Sequence, residues 1–210
     1  EPWLDAAGRT EVVDLSGERF AREGPRKRFW LDGVWQMARD QEPIPSPHLD
    51  DEDQLRGPTT EIPPSIQLRW WSVKVPHRQS IPATDMLNRR WYRRYVSLPA
   101  ELNGRRLSLN FSEANYTASI FVNGQLCGTH FGGYVPFSID ITDAVEPGRL
   151  NELMIAVKGL AFYRKNFKPE MEDIRGGFYR QMLVPGRTGW HKGNRDGIPG
   201  SVWLETHGQV

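Results

Sequence analysis

The sequence predicts an all-β protein, an antiparallel β-sandwich, on three observations. Between Trp91 and Thr142 apolar residues recur at every second position. Leu107, Leu109 and Phe111 alternate with Ser108 and Asn110, and Tyr116, Ala118, Ile120 and Val122 repeat the pattern one strand later. That period of two turns one face of a strand to a core and the other to water. Asn123-Gly124 then separates two such runs, and a type I′ hairpin turn needs the positive φ that Asn and Gly tolerate best. Finally, 16 Pro and 20 Gly in 210 residues supply the many turns of a sandwich with elaborate loops.

In chain order, residues 1–28 are polar around Val12-Val13 and read as an N-terminal arm or edge strand; residues 29–206 read as the sandwich itself. FWLDGVWQMARD (29–40) offers Leu31, Trp35 and Met37 as inward anchors beside an Asp32-Gly33 turn. Residues 41–64 are Pro- and acid-rich without amphipathic period, an excursion from the domain. Within them Asp50, Asp51, Glu52 and Asp53 lack the alternating spacing and the Gly of an EF-hand loop, so they form a solvated tip, and nearby His48 does not alter that. IQLRWWSVKVP (66–76) is strand-like, and adjacent Trp70 and Trp71 must face opposite sides. Residues 77–90 connect it onward, with a turn of helix near Asp85–Asn88.

The returning strand of the Asn123-Gly124 hairpin carries Leu126. Gly132-Gly133 interrupts it, and Tyr134, Pro136 and Phe137 open the next segment. Residues 143–150 read as a turn or short helix ending at Pro147-Gly148. NELMIAVKG (151–159) is a strand with Leu153, Ile155 and Val157 on one face. Residues 160–196 form a long loop region, and a loop of that length in a compact domain carries function or meets a partner. GIPGSVWLE (197–205) closes the sheet with Val202 and Leu204 inward, and 207–210 starts a linker.

Bulk properties exclude several classes. A formal charge of +1 offers no field for nucleic acid or an anionic membrane. The basic clusters Arg26-Lys27-Arg28, Arg89-Arg90 and Arg93-Arg94, interspersed among 26 acids, read as solvated strand edges and loops. No run approaches the roughly 18 apolar residues of a bilayer span. The chain opens at Glu1 without Met or a signal-type apolar core, as a mature or trimmed product would. Lone Cys127 rules out an internal disulfide and reads as a small hydrophobe in mid-strand.

No G-x-S-x-G elbow, H-E-x-x-H, G-x-G-x-x-G or P-loop occurs, and no cofactor or metal is expected. A hydrolase barrel needs about 250 residues, so the chain is expected to hold no catalytic site of its own. Sugar binding is the chemistry its composition suits. Eight Trp, six Tyr and nine Phe can stack on the apolar faces of pyranose rings, while Asn, Asp, Arg and His meet the hydroxyls. Trp190, His191, Lys192, Asn194, Arg195 and Asp196 put that mixture on one glycine-hinged loop, poised to contact either a ligand or a neighbouring domain. His130 and Tyr134, in H-x-G-G-Y, are further candidates, though such a motif more often shapes a turn.

Several segments together resemble the N-terminal sugar-binding domain of the family-2 glycoside hydrolases. They are WYRR (91–94), Leu98-Pro99, VNG (122–124), His130, GGY (132–134), Pro136-Phe137, DIT (140–142), the "L-x-G-x-W" opening and the "G-I-x-x-x-V-x-L" ending. The resemblance implies a jelly-roll, galactose-binding-domain-like sandwich. It also implies a larger O-glycosyl hydrolase parent of the β-galactosidase, β-glucuronidase or β-mannosidase kind, in which this domain supports the barrel. The implied partners are a carbohydrate, a β-glycoside or polysaccharide, and the other domains of the parent, with no nucleic acid or membrane. The substrate class alone points to a secreted or periplasmic place. The family places an Asp six residues before the final "G-I" to hold substrate; His191 stands there. Asn151-Glu152 looks like the family's catalytic Asn-Glu pair but opens a strand, and is read as structural. A free-standing carbohydrate-binding module and a purely structural interaction domain are the alternatives.

Overall fold

A computed structural model describes residues 12–17, 26–39, 58–62, 64, 68–77, 89–115, 117–158 and 197–209. Among the described residues eleven strands fall in two sheets. The larger is built from β1 (Val12–Asp14), β3 (Gly33–Arg39), β4 (Trp71–Val75), β5 (Arg90–Ser97), β7 (Thr117–Val122), β8 (Gln125–Phe131) and β10 (Leu150–Lys158). The smaller contains β2 (Lys27–Trp30), β6 (Arg105–Phe111), β9 (Phe137–Asp140) and β11 (Val202–Gln209). Their orders are β4-β3-β5-β10-β7-β8, with β1 beside β5, and β2-β11-β6-β9. All pairings are antiparallel except β1 with β5. There β1 takes Tyr95–Ser97 of the strand edge that β3 occupies at Arg90–Arg93.

The core lies between the sheets, where the alternation predicts it. Leu107, Leu109 and Phe111 of β6, Ala118, Ile120 and Val122 of β7, and Leu153, Ile155 and Val157 of β10 meet Leu31, Trp35, Val202 and Leu204. Trp35, fully buried, donates Nε1–H to the Leu31 carbonyl at 2.7 Å, which satisfies the indole inside an apolar core. At the β8–β9 edge the two sheets nearly touch. A Cβ on Gly128 would come within 2.9 Å of Ile139 Cγ2, so only glycine fits there.

The larger sheet is buried on its outer face as well. Ala38, Trp91, Phe121, Met154 and Ala156 form a second cluster, covered by Leu68 with Ile62 and Trp70. The end of the Pro- and acid-rich excursion therefore returns across this sheet, pinned where the Thr59 amide donates to Ser119 Oγ at 2.9 Å. Trp70 and Trp71 face opposite sides, Trp70 against this cover and Trp71 against the core. Such two-sided burial accounts for β7 being buried throughout and for the unbroken apolar run Leu153–Val157 in β10. Strand β4 begins at Trp71, later than the 66–76 reading, because Leu68 turns away into the outer cluster.

The basic clusters are not all solvated, which corrects the sequence reading. Arg90 is 3% exposed. Arg93 lies 4.0 Å over Trp70 and donates Nε–H to Gln36 Oε1 at 2.8 Å. Arg94 donates to the Leu31 carbonyl at 2.6 Å and sits over Trp35. Burial of a guanidinium needs such partners and apolar surface for its stem. Residues 143–149 hold turns without a helix and Leu150 already opens β10, whereas Ala100–Leu102, unremarked in the sequence, is a turn of 3-10 helix. The acidic tip at Asp50–Asp53, His48 and the Asp85–Asn88 turn lie outside the described residues.

Candidate functional site

Asn115 joins the residue that follows the 160–196 region to the G-G-Y turn. Its backbone pairs with Gly197 in both directions, at 2.8 and 3.1 Å, just where the 160–196 region ends. The Asn115 side chain is fully buried; Nδ2 donates to Glu113 Oε1 at 2.9 Å and Oδ1 accepts the Tyr134 amide at 3.2 Å. One asparagine thus fixes the backbone at Gly197 against the G-G-Y turn. Tyr134 adopts φ 64° there, conformational strain that this hydrogen bond helps offset.

Beneath the junction lies a buried polar group. His77 Nδ1 and the Tyr92 hydroxyl are 3.1 Å apart, and the His77 amide donates to the Ile198 carbonyl at 2.7 Å. The Tyr92 hydroxyl and the Arg90 guanidinium both face Gly197, which has φ 100° and no room for a Cβ. The sequence does not point to His77 or Glu113, and it reads Arg90 only as part of a solvated basic cluster. The one available signal is Val75-Pro76, which ends β4 and delivers His77 inward.

The sequence-predicted residues divide. Trp190, His191, Asn194, Arg195 and Asp196 lie outside the described residues. Tyr134 is at the junction, 36% exposed, beside Phe131 and Val135, each about half exposed. His130 is a packing residue. It stacks on Phe137 at 3.9 Å and 8°, and Phe137 stacks on Phe111 at 4.7 Å. Burial lowers the His130 pKa below 6.5, against a backbone hydrogen bond at Gly132 that raises it, and Nε2 is buried without a hydrogen-bond partner. The structure therefore brings Tyr134 to the loop exit and keeps His130 in the stack.

Chemistry at the described carboxylates is set by hydrogen bonding. Burial raises the Asp140 pKa, but Thr142 and Arg106 outweigh it and leave it below 3.8. Glu205 behaves likewise, with Arg28 and Trp203 overcoming burial to hold it below 4.5. The side chain and amide of Ser16 depress exposed Asp14. Glu152 accepts from the Tyr95 hydroxyl at 2.9 Å, and burial together with that carboxylate pushes the phenol up. Burial also raises the pKa of Cys127, partly buried against the core, which suits a hydrophobe rather than a nucleophile. Among the described residues no three His, Cys, Asp or Glu side chains gather to hold a metal, and no helix is long and apolar enough to cross a membrane.

A family model described as "Glycosyl hydrolases family 2, sugar binding domain" matches residues 29–181. A β-galactosidase of Thermoanaerobacter pseudethanolicus is 32% identical over 98 residues, 45% of this chain and 13% of the relative. The β-glucuronidase of Canis lupus familiaris is 29% identical over 145 residues, 67% of this chain and 22% of the relative. Among solved structures, the β-glucuronidase of Ruminococcus gnavus shares the fold with a TM-score of 0.55 at 20% identity, covering 89% of this chain and 30% of that one. The chain thus spans less than a quarter of the length of these two sequence relatives.

Proposed function

The chain belongs to the sugar-binding domains of glycosyl hydrolases family 2, and from that premise we propose that it serves a larger glycosidase acting on β-linked glycosides, as its non-catalytic carbohydrate-binding and supporting domain. The names of the relatives favour a β-glucuronide or β-galactoside as substrate. That substrate class is also the ground for a secreted or periplasmic place. The observation that carries the reading is the Asn115 junction, which sets an exposed tyrosine beside the exit of the loop bearing Trp190, His191, Asn194, Arg195 and Asp196. Aromatic rings with amide, guanidinium and carboxylate groups, the residue types of that segment, suit a pyranose.

Three of the described carboxylates are in keeping with a non-catalytic role. Glycoside hydrolysis needs one carboxyl with a raised pKa to protonate the leaving oxygen. Asp14, Asp140 and Glu205 all move the other way. Glu152, the residue of the Asn-Glu look-alike, is tied to Tyr95 and to Arg93, 3.8 Å away.

The test is calorimetric titration of the chain with β-linked glucuronic acid and galactose oligosaccharides, beside Tyr134→Ala and Trp190→Ala. Binding that weakens in both variants upholds the site; binding unchanged in both overturns it. Chain-dependent cleavage of nitrophenyl β-glucuronide or β-galactoside would overturn the non-catalytic role.

A further inference from the structure

The outer face of the smaller sheet carries a second arrangement, remote in sequence from the loops above. Strand alternation turns Phe29, Leu204, Leu109 and Ile139 into the core and sends their neighbours outward. The register then sets the outward residues in rows. Trp30, Trp203, Asn110 and Ser138 form one, and Arg28, Glu205, Ser108 and Asp140 form the next. Trp30 is 58% exposed, the most exposed large apolar side chain among the described residues. Its ring lies 5.3 Å from that of Trp203, tilted by 50°.

The ring beneath is held from several sides. Arg28 sits 5.6 Å over Trp203 and donates Nε–H to Glu205 Oε2 at 2.6 Å, and the same oxygen accepts Trp203 Nε1–H at 3.4 Å. Asn110 Nδ2 donates to the Ser108 carbonyl, to Ser108 Oγ and to the Trp203 carbonyl, which leaves Oδ1 as an acceptor. Ser108 Oγ in turn pairs with His207 Nε2 at 2.9 Å. The result is an exposed indole on a rigid support, next to oriented donors and acceptors.

We propose that this face is a carbohydrate-binding surface, in which Trp30 stacks on a pyranose ring of a β-linked glycan and Arg28, Asn110 and His207 take its hydroxyls. A sugar fits better than a protein face for two reasons. An apolar partner would strip water from the exposed Arg28 guanidinium and from the Arg106–Asp140 pair, a cost that interface cores avoid by excluding charge. A pyranose instead sets C–H groups against the indole and gives each polar side chain a hydroxyl. Trp203 and Asn110 are already held by their hydrogen bonds, which lessens the ordering left to binding. The surface is separate from the Asn115 junction, so either can bind without the other.

Native affinity electrophoresis of the full chain in gels containing barley β-glucan, xylan or galactan tests this. The chain is retarded in at least one gel. Trp30→Ala weakens the apparent affinity about tenfold or more, as loss of a stacked ring should, and Trp30→Tyr, which keeps a ring on the edge strand, retains part of it. Near-UV circular dichroism confirms that each variant is folded. Retardation lost in Tyr134→Ala but equal in wild type and Trp30→Ala overturns this surface and leaves the junction standing. Retardation in none of the gels overturns the surface as well.

Discussion

Asn151 tests how much of this domain rests on one buried amide. The side chain is fully buried and holds four hydrogen bonds. Nδ2 donates to the carbonyls of Glu146 and Arg149, both at 3.0 Å, while Oδ1 accepts the Glu146 amide at 2.7 Å and Asn123 Nδ2 at 2.8 Å. Asn123, at φ 50° in the hairpin turn, completes the link through Ala144 O and the Glu152 amide. Asn151→Ala breaks all four, each worth about 1 kcal/mol net. Glu146 and Arg149 are surface residues whose freed backbone groups regain water, so the loss is about 3 kcal/mol rather than four. For a chain of this size that is a drop in Tm of roughly 6–12 °C. Asn151→Asp should cost at least as much, because it turns a carboxylate oxygen toward two carbonyls. Glu152→Gln should cost less, since an amide oxygen still accepts from Tyr95. Urea unfolding followed by tryptophan fluorescence measures all three. A loss below about 1 kcal/mol in Asn151→Ala would refute the argument and reopen a functional role for the Asn-Glu pair.

Two further predictions concern the loop end and the stack. Gly197→Ala forces a Cβ against the Tyr92 hydroxyl at φ 100°, so strain and overpacking together should destabilise the chain by about 3 kcal/mol or more, read by the same unfolding assay; stability within 1 kcal/mol of wild type refutes the close approach. His130 has a folded pKa lowered below 6.5, so the unfolded chain binds more protons just below that value. Its neutral form therefore supports the fold above pH 6.5, and that support declines on acidification through this window. Asp140 and Glu205, depressed from 3.8 and 4.5, lose theirs only below those values. His130→Phe keeps a ring on Phe137 and should flatten the fall in Tm between pH 7 and 5. An unchanged slope would show that the imidazole does not titrate there.

What was legible in the sequence follows from which interactions are periodic. Leu107, Leu109 and Phe111 alternate along the chain with Ser108 and Asn110, and Val202 and Leu204 keep the same period, so alternation alone assigns them to the core. The hairpin at Asn123-Gly124 was equally plain, because its backbone demands those residue types. Met154, Ala156 and Phe121 were not assigned to a second apolar face, since the segment covering them, with Ile62 and Leu68, has no period of its own. Arg90, Arg93 and Arg94 looked solvated because a sequence shows a charge but not the indole, amide or carbonyl that receives it. At the site, the G-G-Y turn was recognisable but its anchor was not. The burial of Asn115 and its grip on the Tyr134 amide come from a bridge to Gly197, far along the chain.

The same limit accounts for the tryptophan surface and argues for its being functional. Trp30 and Trp203 lie near opposite ends of the chain, and only the β2–β11 register makes them neighbours. Neither is needed to fill the core, which Phe29, Val202 and Leu204 supply from the alternate positions. A fold that needed this face only to be wet would be served by polar residues at both places. Instead the sheet exposes an indole on its edge strand and braces the second with an arginine and a carboxylate held below its usual pKa. The bracing joins a half-exposed Arg28 to a buried Glu205 and fixes the orientation of the Trp203 ring. Orientation matters only if something docks on the rings, so Trp30→Ala should leave stability nearly untouched while removing glycan retention.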